Sequence, residues 1–278
     1  MKPQIIAIRF IFFFLFIFPW SGISAQGNKT DAGYVPEVGQ QGKDVVWVPT
    51  PTELVNAMLK LANVTPDDYV IDLGSGDGRT VIAAARLGAH ALGIEYNPDM
   101  VVLSKRNAEQ EGVGNISEFI EADLYEYDLS KATVITMFLL PEINLKLRPR
   151  LLDLKPGTRI VSNTFTMGEW EPDYEVTTDE NWNSWNSALM WIVPAKVEGF
   201  WQLGNYELSL KQQFQLVFGN YITGQKVTSI TDGRLSGNDI TFRINGDLYV
   251  GRVEGNKMIG TVTNESTKSD WVATKTGN

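Results

Sequence analysis

The chain has 278 residues, a formal net charge of −9 at pH 7, no cysteine and a single histidine, His90. Without cysteine there is no disulfide framework, thiolate nucleophile or zinc–sulfur site, and with one histidine, expected to be structural, we expect no histidine-based metal cluster or triad. A chain this acidic is a poor ligand for polyanions, so we expect no nucleic-acid partner.

The N-terminus has the pattern of a secretory signal peptide, which we place at residues 1–25. Lys2 and Arg9 carry positive charge, and an apolar run follows over residues 10–18. This run is shorter than the about 20 residues that a membrane-spanning helix needs. We therefore predict an exported protein, periplasmic or secreted. The alternative is a membrane anchor over residues 5–20, which would be the only contact with the membrane.

The next segment leads into the first predicted helix. Residues 26–46 are polar with glycine and proline and are typical of a flexible leader. Residues 45–51 are expected to be extended, because residues before proline avoid the helical region. Thr50 or Thr52 is predicted to cap a helix that ends near Leu61. This helix either closes over a ligand or packs on the edge of the sheet.

A glycine-rich turn joins the first strand of the predicted sheet to the next helix. The apolar run 70–73 indicates a buried parallel strand, and residues 80–86 indicate a helix. The glycines between them permit a sharp turn and the close approach of a ligand, at which the helix directs its free N–H groups. The turn and the acid before it are Asp72, Gly74, Ser75, Gly76, Asp77 and Gly78.

The spacing of these glycines indicates which ligand binds. Arg79 stands where the dinucleotide fingerprint G-x-G-x-x-G requires its last glycine. An acid followed by glycine at every second position instead resembles the first motif of class I methyltransferases. The resemblance implies S-adenosylmethionine as cofactor, held by the residues of this turn and by Asp72. The alternative is a glycine-rich turn that binds nothing.

Two further acids follow predicted strands. Glu95 ends the strand 91–95, and a carboxylate at that position can accept hydrogen bonds from both ribose hydroxyls of a nucleoside. Asp123 follows the strand 116–121. The resemblance implies that Asp123 accepts a hydrogen bond from the adenine amino group; the alternative is an ordinary turn aspartate.

The remaining strands complete an α/β domain, which we place at residues 47–194. Strands are predicted over residues 132–138 and 158–162, and a further edge strand over 187–194 is expected to pair antiparallel. Alternating strands and helices predict a doubly wound, mostly parallel sheet.

Several short motifs make the resemblance more specific. In order along the chain they are Val48-Pro49-Thr50-Pro51, Asp72 to Arg79, Gly93 to Pro98, Phe138-Leu139-Leu140-Pro141, Gly157 to Ser162, Phe165 and Trp170-Glu171-Pro172. Together they resemble the small protein-lysine methyltransferases related to the mitochondrial enzymes that act on the adenine nucleotide translocase and on the c-ring protein of ATP synthase. The resemblance implies a protein substrate with lysine as the acceptor, and a substrate channel lined by Phe138, Asn163, Phe165 and Trp170. It identifies no general base.

The last part of the chain, residues 195–278, changes character. Helical periodicity ends, and short strands alternate with turns such as Asn245-Gly246-Asp247. This pattern predicts a small all-β antiparallel barrel or sandwich of seven or eight strands, without a catalytic constellation. Two functions remain open. The first is an S-adenosylmethionine-dependent methyltransferase, and the second is an exported, non-catalytic binding protein that uses its β domain to engage a partner.

Overall fold

The computed structural model describes residues 28–30, 33–179 and 185–277. The predicted signal peptide lies outside the described residues.

The α/β part of the chain contains nine strands and four helices among the described residues. The strands are β1 (Asn28–Thr30), β2 (Gly33–Val35), β3 (Tyr69–Leu73), β4 (His90–Glu95), β5 (Ser117–Glu121), β6 (Val134–Met137), β7 (Arg159–Asn163), β8 (Tyr174–Thr177) and β9 (Ser187–Ile192). The helices are α1 (Thr52–Leu61), α2 (Arg79–Arg86), α3 (Pro98–Gln110) and α4 (Pro141–Leu152). Each predicted strand and helix of this part is present, with ends that differ by at most two residues from the sequence-based bounds.

The main sheet has seven strands in the order β5-β4-β3-β6-β7-β9-β8. The five strands from β5 to β7 are parallel, whereas β9 pairs antiparallel with β7 and β8 pairs antiparallel with β9. Apolar residues of α1, α2 and α3 pack together on one face, and those of α4 pack in a separate core on the other face. The prediction of a doubly wound, mostly parallel sheet is confirmed.

Two local features of the N-terminal part differ from the sequence-based expectation. Helix α1 is capped by Pro51 without a side-chain hydrogen bond, so neither Thr50 nor Thr52 is its cap. The expected flexible leader is instead packed from Tyr34 onward, where a small apolar cluster joins it to Met100 on α3. Backbone hydrogen bonds such as Gly39 N–H to the Trp47 carbonyl hold it in a compact turn, a pairing that composition does not reveal.

The C-terminal part forms a closed antiparallel barrel, as predicted. Its strands are β10 (Gly199–Leu203), β11 (Tyr206–Gln213), β12 (Leu216–Thr223), β13 (Lys226–Ser229), β14 (Thr231–Ser236), β15 (Asp239–Ile244), β16 (Asp247–Glu254), β17 (Lys257–Thr263) and β18 (Lys268–Gly277). Eight strands close the barrel, because β10 pairs with β18 and β11 pairs with β12; the short β13 pairs with β12 as an extension. Its core contains the buried side chains of Trp201, Phe242 and Trp271.

The described helices are all too short or too polar to cross a membrane.

Candidate active site

A cleft opens at the carboxyl ends of the parallel strands, where the loops after β3, β4, β6 and β7 meet. The glycine loop after β3 forms its floor. Gly76 has a φ of +54°, a conformation that side chains with a Cβ disfavour. A Cβ placed there would also lie 2.5 Å from the indole nitrogen of Trp47. Only glycine therefore fits between the turn and the N-terminal segment that lies over it.

Glu95 is held rigidly at the edge of this loop. Its Oε2 accepts a hydrogen bond of 2.9 Å from the Gly76 N–H, and its Oε1 accepts one of 2.9 Å from the Asn97 N–H. Asn97 in turn caps α3 through its side chain, which accepts from the Asp99 N–H at 2.9 Å. Each carboxylate oxygen has two lone pairs, so both remain able to accept a further hydrogen bond from a ligand.

Asp72 lies below the loop and is almost completely buried. Burial raises the pKa of its carboxyl to about 7, and the negative charges of Glu95 and Asp77 raise it as well. The hydrogen bond of 2.6 Å that Thr136 Oγ1 donates to Asp72 Oδ1 acts in the opposite direction. Near neutral pH this carboxyl is therefore close to half protonated.

The carboxylate of Asp77 is already engaged within the chain. Arg79 Nη2 donates to its Oδ2 at 2.6 Å and Arg79 Nε donates to its Oδ1 at 2.9 Å. Arg79 also donates to the carbonyl oxygen of Thr50 at 2.9 Å, which ties the glycine loop to the segment before α1. Asp77 thus lines the cleft while serving as a structural link.

Asp123 follows β5, which lies two strands from β3 in the sheet, and it is paired with Lys43. Lys43 Nζ lies 2.5 Å from Asp123 Oδ2, and Lys43 also lies over the ring of Tyr96 at 4.6 Å from its centroid. The hydrogen bond to Lys43 and that from the Tyr125 N–H lower the pKa of Asp123, and the same ion pair raises the pKa of Lys43. Asp123 is therefore ionised, and its partner comes from the N-terminal segment.

Three aromatic rings form the opposite end of the cleft. Phe138 stacks on Phe165 with centroids 5.9 Å apart, and Trp185 meets Phe138 edge-on at 5.7 Å. All three side chains are partly exposed and line the same cleft as Glu95 and Asp123. We call these three residues the aromatic wall.

Most of the residues predicted for the site lie around this one cleft. They are Asp72, Gly74, Ser75, Gly76, Asp77, Glu95, Asp123, Phe138 and Phe165. Gly78 lies just behind it, as the cap residue of α2.

Two residues of the predicted channel are not among those that line the cleft. Trp170 is fully buried, packs against Trp191 and stacks on Phe214 of the barrel, so its interpretation as a channel residue is corrected. Asn163 is also fully buried and donates to Thr50 Oγ1 at 3.4 Å. Trp170 and Asn163 were assigned to the channel from the sequence alone. The sequence does not show that they are buried, because the burial of a loop side chain depends on contacts with residues far away in the chain.

The sequence analysis missed several residues that line the cleft, and four of them carry a charged or aromatic side chain that bears on the site. They are Lys43, Trp47, Tyr96 and Trp185. Tyr96 follows Glu95 directly and Trp47 precedes a Val-Pro motif, so both had a local signal. Lys43 had none, because its position depends on how the leader packs. Among the described residues, no cluster of three or more histidine, cysteine, aspartate or glutamate side chains could hold a metal ion.

Comparison with known proteins identifies the family. Residues 72–174 match the family described as "ANTKMT methyltransferase domain", and residues 26–106 match one described as "DNA methylase". A crystal structure described as an RNA methyltransferase from Salinibacter ruber, in complex with S-adenosyl-L-homocysteine, has 47% identity and a TM-score of 0.51; the similarity covers 54% of this chain and 96% of that one.

Two curated relatives are lysine methyltransferases. A lysine N-methyltransferase of Xenopus laevis, named for the C subunit of ATP synthase, is 35% identical over 129 residues, which is 46% of this chain and 57% of that protein. The protein-lysine N-methyltransferase of Saccharolobus islandicus is 39% identical over 163 residues, which is 58% of this chain and 96% of that protein. The chain therefore belongs to the family of S-adenosylmethionine-dependent protein-lysine N-methyltransferases.

Proposed function

We propose that this cleft transfers a methyl group from S-adenosylmethionine to the side-chain amine of a lysine in a protein substrate, an activity of class EC 2.1.1. The observation that carries the proposal is the polarity of the cleft. The clamped carboxylate of Glu95 and the ionised carboxylate of Asp123 follow β4 and β5 at one end, and two rings of the aromatic wall follow β6 and β7 at the other. A nucleoside and an aliphatic amine need these two environments side by side.

The polar end fits an adenosyl group. We propose that Glu95 accepts hydrogen bonds from the two ribose hydroxyls, because two backbone amides already fix its carboxylate in place. Asp123 accepts a hydrogen bond from the adenine amino group once Lys43 no longer occupies the Oδ2 atom of Asp123. Gly74 and Gly76, which line the cleft together with Asp72, let the backbone approach the methionine part closely. The cofactor supplies a methyl sulfonium, an electrophile that an amine attacks directly.

The aromatic end fits the acceptor. A lysine must be neutral to act as nucleophile, and from an ordinary pKa near 10.4 the neutral form costs about 4.6 kcal/mol at pH 7. A channel walled by Phe138, Phe165 and Trp185 lowers that pKa by desolvation and also excludes water. The chain then needs only to hold the amine in line with the methyl carbon, and we assign no general base.

RNA is the second candidate acceptor. The Salinibacter protein described as an RNA methyltransferase favours it, because its identity to this chain is 47%. The formal net charge of −9 opposes it, because binding to a polyanion depends on neutralising phosphates with lysine and arginine. We therefore propose protein rather than RNA. A non-catalytic binding protein is not favoured, since every carboxylate expected around the cofactor is present.

The experiment that tests the proposal follows labelled methyl groups. Purified chain is incubated with methyl-labelled S-adenosylmethionine and either total bacterial protein, the same protein after its lysines are blocked by acetylation, or total RNA. We expect label in the first sample and none in the other two. Label in RNA, or label that persists after lysine blocking, would contradict a lysine acceptor.

We also propose that the chain acts outside the cytoplasm. Support comes from the charge and apolar pattern of residues 1–25. When cells are fractionated, mass spectrometry should find the chain in the exported fraction, and its N-terminus should lie just after residue 25. An uncleaved chain in the membrane fraction would favour the anchor instead, and a cytoplasmic chain would contradict both.

A further inference from the structure

The segment that carries Phe165 of the aromatic wall has an unfavourable backbone. It connects β7 to β8, and we call residues 164–173 the wall loop. Thr164 has a φ of +58°, which a β-branched residue rarely adopts. Its N–H donates to the Ser187 carbonyl at 2.7 Å, and its hydroxyl donates to Asn163 Oδ1 at 2.9 Å. A loop that begins in such a conformation keeps it only when its surroundings hold it.

Helix α4 holds the first half of the wall loop. Asn144 is fully buried, and its Nδ2 donates to the carbonyl oxygens of Phe165 and Thr166, each at 3.2 Å. One turn later, Arg148 Nη1 donates to the Met167 carbonyl at 2.8 Å. These contacts fix the backbone of Phe165 and of the two residues that follow it.

The barrel holds the second half of the wall loop through three side chains. Phe214 stacks on Trp170 with centroids 5.9 Å apart and planes 13° from parallel. Gln215, which is buried, donates to the Glu171 carbonyl at 2.9 Å. Arg234 Nη2 lies 2.6 Å from Asp173 Oδ1, and the side chain of Asp173 is only 5% exposed.

The two sets of anchors meet at one side chain. The guanidinium of Arg148, which holds Met167, lies over the ring of Phe214 at 5.3 Å. Phe214 itself has a φ of +54°, and Gln212 Nε2 donates to its carbonyl at 2.8 Å, so the barrel presents this ring in a fixed orientation. Phe214 therefore contacts both the end of the wall loop and the helix residue that anchors its middle.

From these contacts we infer that Phe214, Gln215 and Arg234 of the barrel are positioning residues for methyl transfer, which keep Phe165 in place at the acceptor end of the cleft. The inference rests on the proposed function for the role of Phe165. It gives the barrel a task within the reaction, although none of these three side chains lines the cleft.

Hydrogen exchange of the full chain, measured with and without S-adenosylhomocysteine, tests the inference. We expect Phe214→Ala to accelerate exchange of the amides in residues 163–169 by about tenfold, while the glycine loop is unchanged, because only the local opening becomes easier. Phe214→Tyr keeps the ring and should restore protection. Phe218→Ala is the matched control, because Phe218 is an exposed ring of the same barrel.

A second pair of variants tests the inference independently if Phe214→Ala does not fold. Arg234→Ala should accelerate exchange in the same segment, whereas Arg252→Ala, which breaks an ion pair within the barrel, should not. Arg234→Ala should also lower the rate of label transfer to bacterial protein at saturating cofactor. Unchanged exchange of residues 163–169 in both Phe214→Ala and Arg234→Ala, or an equal acceleration everywhere, would overturn the inference.

Separate measurements on the wild-type chain decide whether the proposed function is wrong. If the wild-type chain does not bind S-adenosylhomocysteine in calorimetry or transfers no label to lysine, the proposed activity is wrong. The exchange pattern still decides whether the barrel holds the wall loop, because it is measured on the backbone.

Discussion

The two ends of the cleft are built in different ways. The donor end is the end with Glu95 and Asp123, where the cofactor is proposed to bind. There the backbone N–H groups of Gly76 and Asn97 hold the Glu95 carboxylate in place. At the acceptor end, the aromatic wall consists of side chains from separate loops, and the wall loop depends on α4 and on the barrel. The carboxylate of Glu95 is therefore fixed by backbone groups, whereas the position of the aromatic wall depends on side chains that lie far away in the sequence.

Loss of Glu95 should give the largest effect and should be confined to the donor end. Glu95→Ala removes a carboxylate that two amides hold in place, so we expect the affinity for S-adenosylhomocysteine to fall about 100-fold, or about 3 kcal/mol. Calorimetry measures it. Glu121 ends the neighbouring strand in register with Glu95 and is exposed, so Glu121→Ala is the matched control. Equal affinities for the two variants would refute the ribose assignment.

The buried carboxyl of Asp72 should make the stability of the chain decrease as pH rises. Its folded-state pKa is about 7, against an ordinary 3.8, so the folded chain retains a proton that the unfolded chain has lost between these values. The free energy of unfolding then falls from about pH 4 to about pH 7 and is level above. Asp72→Asn should remove this dependence. In urea titrations the stability of the variant relative to the wild type should therefore rise by about 2.6 kcal/mol between pH 5 and pH 8.

Asp68 serves as a control, because its pKa is shifted in the opposite direction to that of Asp72. Burial alone would raise the pKa of Asp68, but hydrogen bonds from Thr133 and Thr65 and the charge of Arg159 outweigh it and lower the pKa. Its contribution to stability is thus complete above pH 5 and is lost only as the pH falls through its depressed pKa. Asp68→Asn should cost the same stability at pH 5 and pH 8. A pH-dependent cost would contradict this assignment.

Removal of a ring from the aromatic wall should affect transfer and leave cofactor binding intact. Phe165→Ala opens the acceptor end to water and leaves the clamp on Glu95 untouched, so we expect label transfer to fall about tenfold with an unchanged affinity for S-adenosylhomocysteine. Steady-state rates and calorimetry on the same preparation measure both. A variant that loses cofactor affinity instead would show that the two ends are not separable.

The smallest expected effect concerns Lys43, where a side chain of the N-terminal segment reaches the donor end. Because Lys43 occupies an oxygen of Asp123 that the adenine amine is proposed to use, Lys43→Met should raise the affinity for S-adenosylhomocysteine, by up to about fivefold for a partly exposed pair. Lys131→Met changes an exposed lysine elsewhere and should have no effect. A lower affinity in Lys43→Met would mean that Lys43 helps to hold the ligand.

The sequence was informative where a function depends on consecutive residues. The strand, the glycine turn and the acids at strand ends are short-range patterns, and the structure places Asp72, Glu95 and Asp123 around one cleft. Trp170 shows the limit. Its motif suggested the channel, but its burial depends on Phe214, which lies 44 positions later in the barrel. Lys43 reaches Asp123 across 80 positions, and no local pattern encodes such a contact.

The closure of the barrel has a consequence for its strand edges. The first and last strands, β10 and β18, are hydrogen-bonded neighbours, so the barrel completes itself without a strand from the main sheet. Each of its eight strands therefore has a hydrogen-bonded neighbour on both sides. An open sheet of the same strands would present two unpaired edges, at which strands of other molecules can add, and closure into a barrel protects the chain from this kind of aggregation.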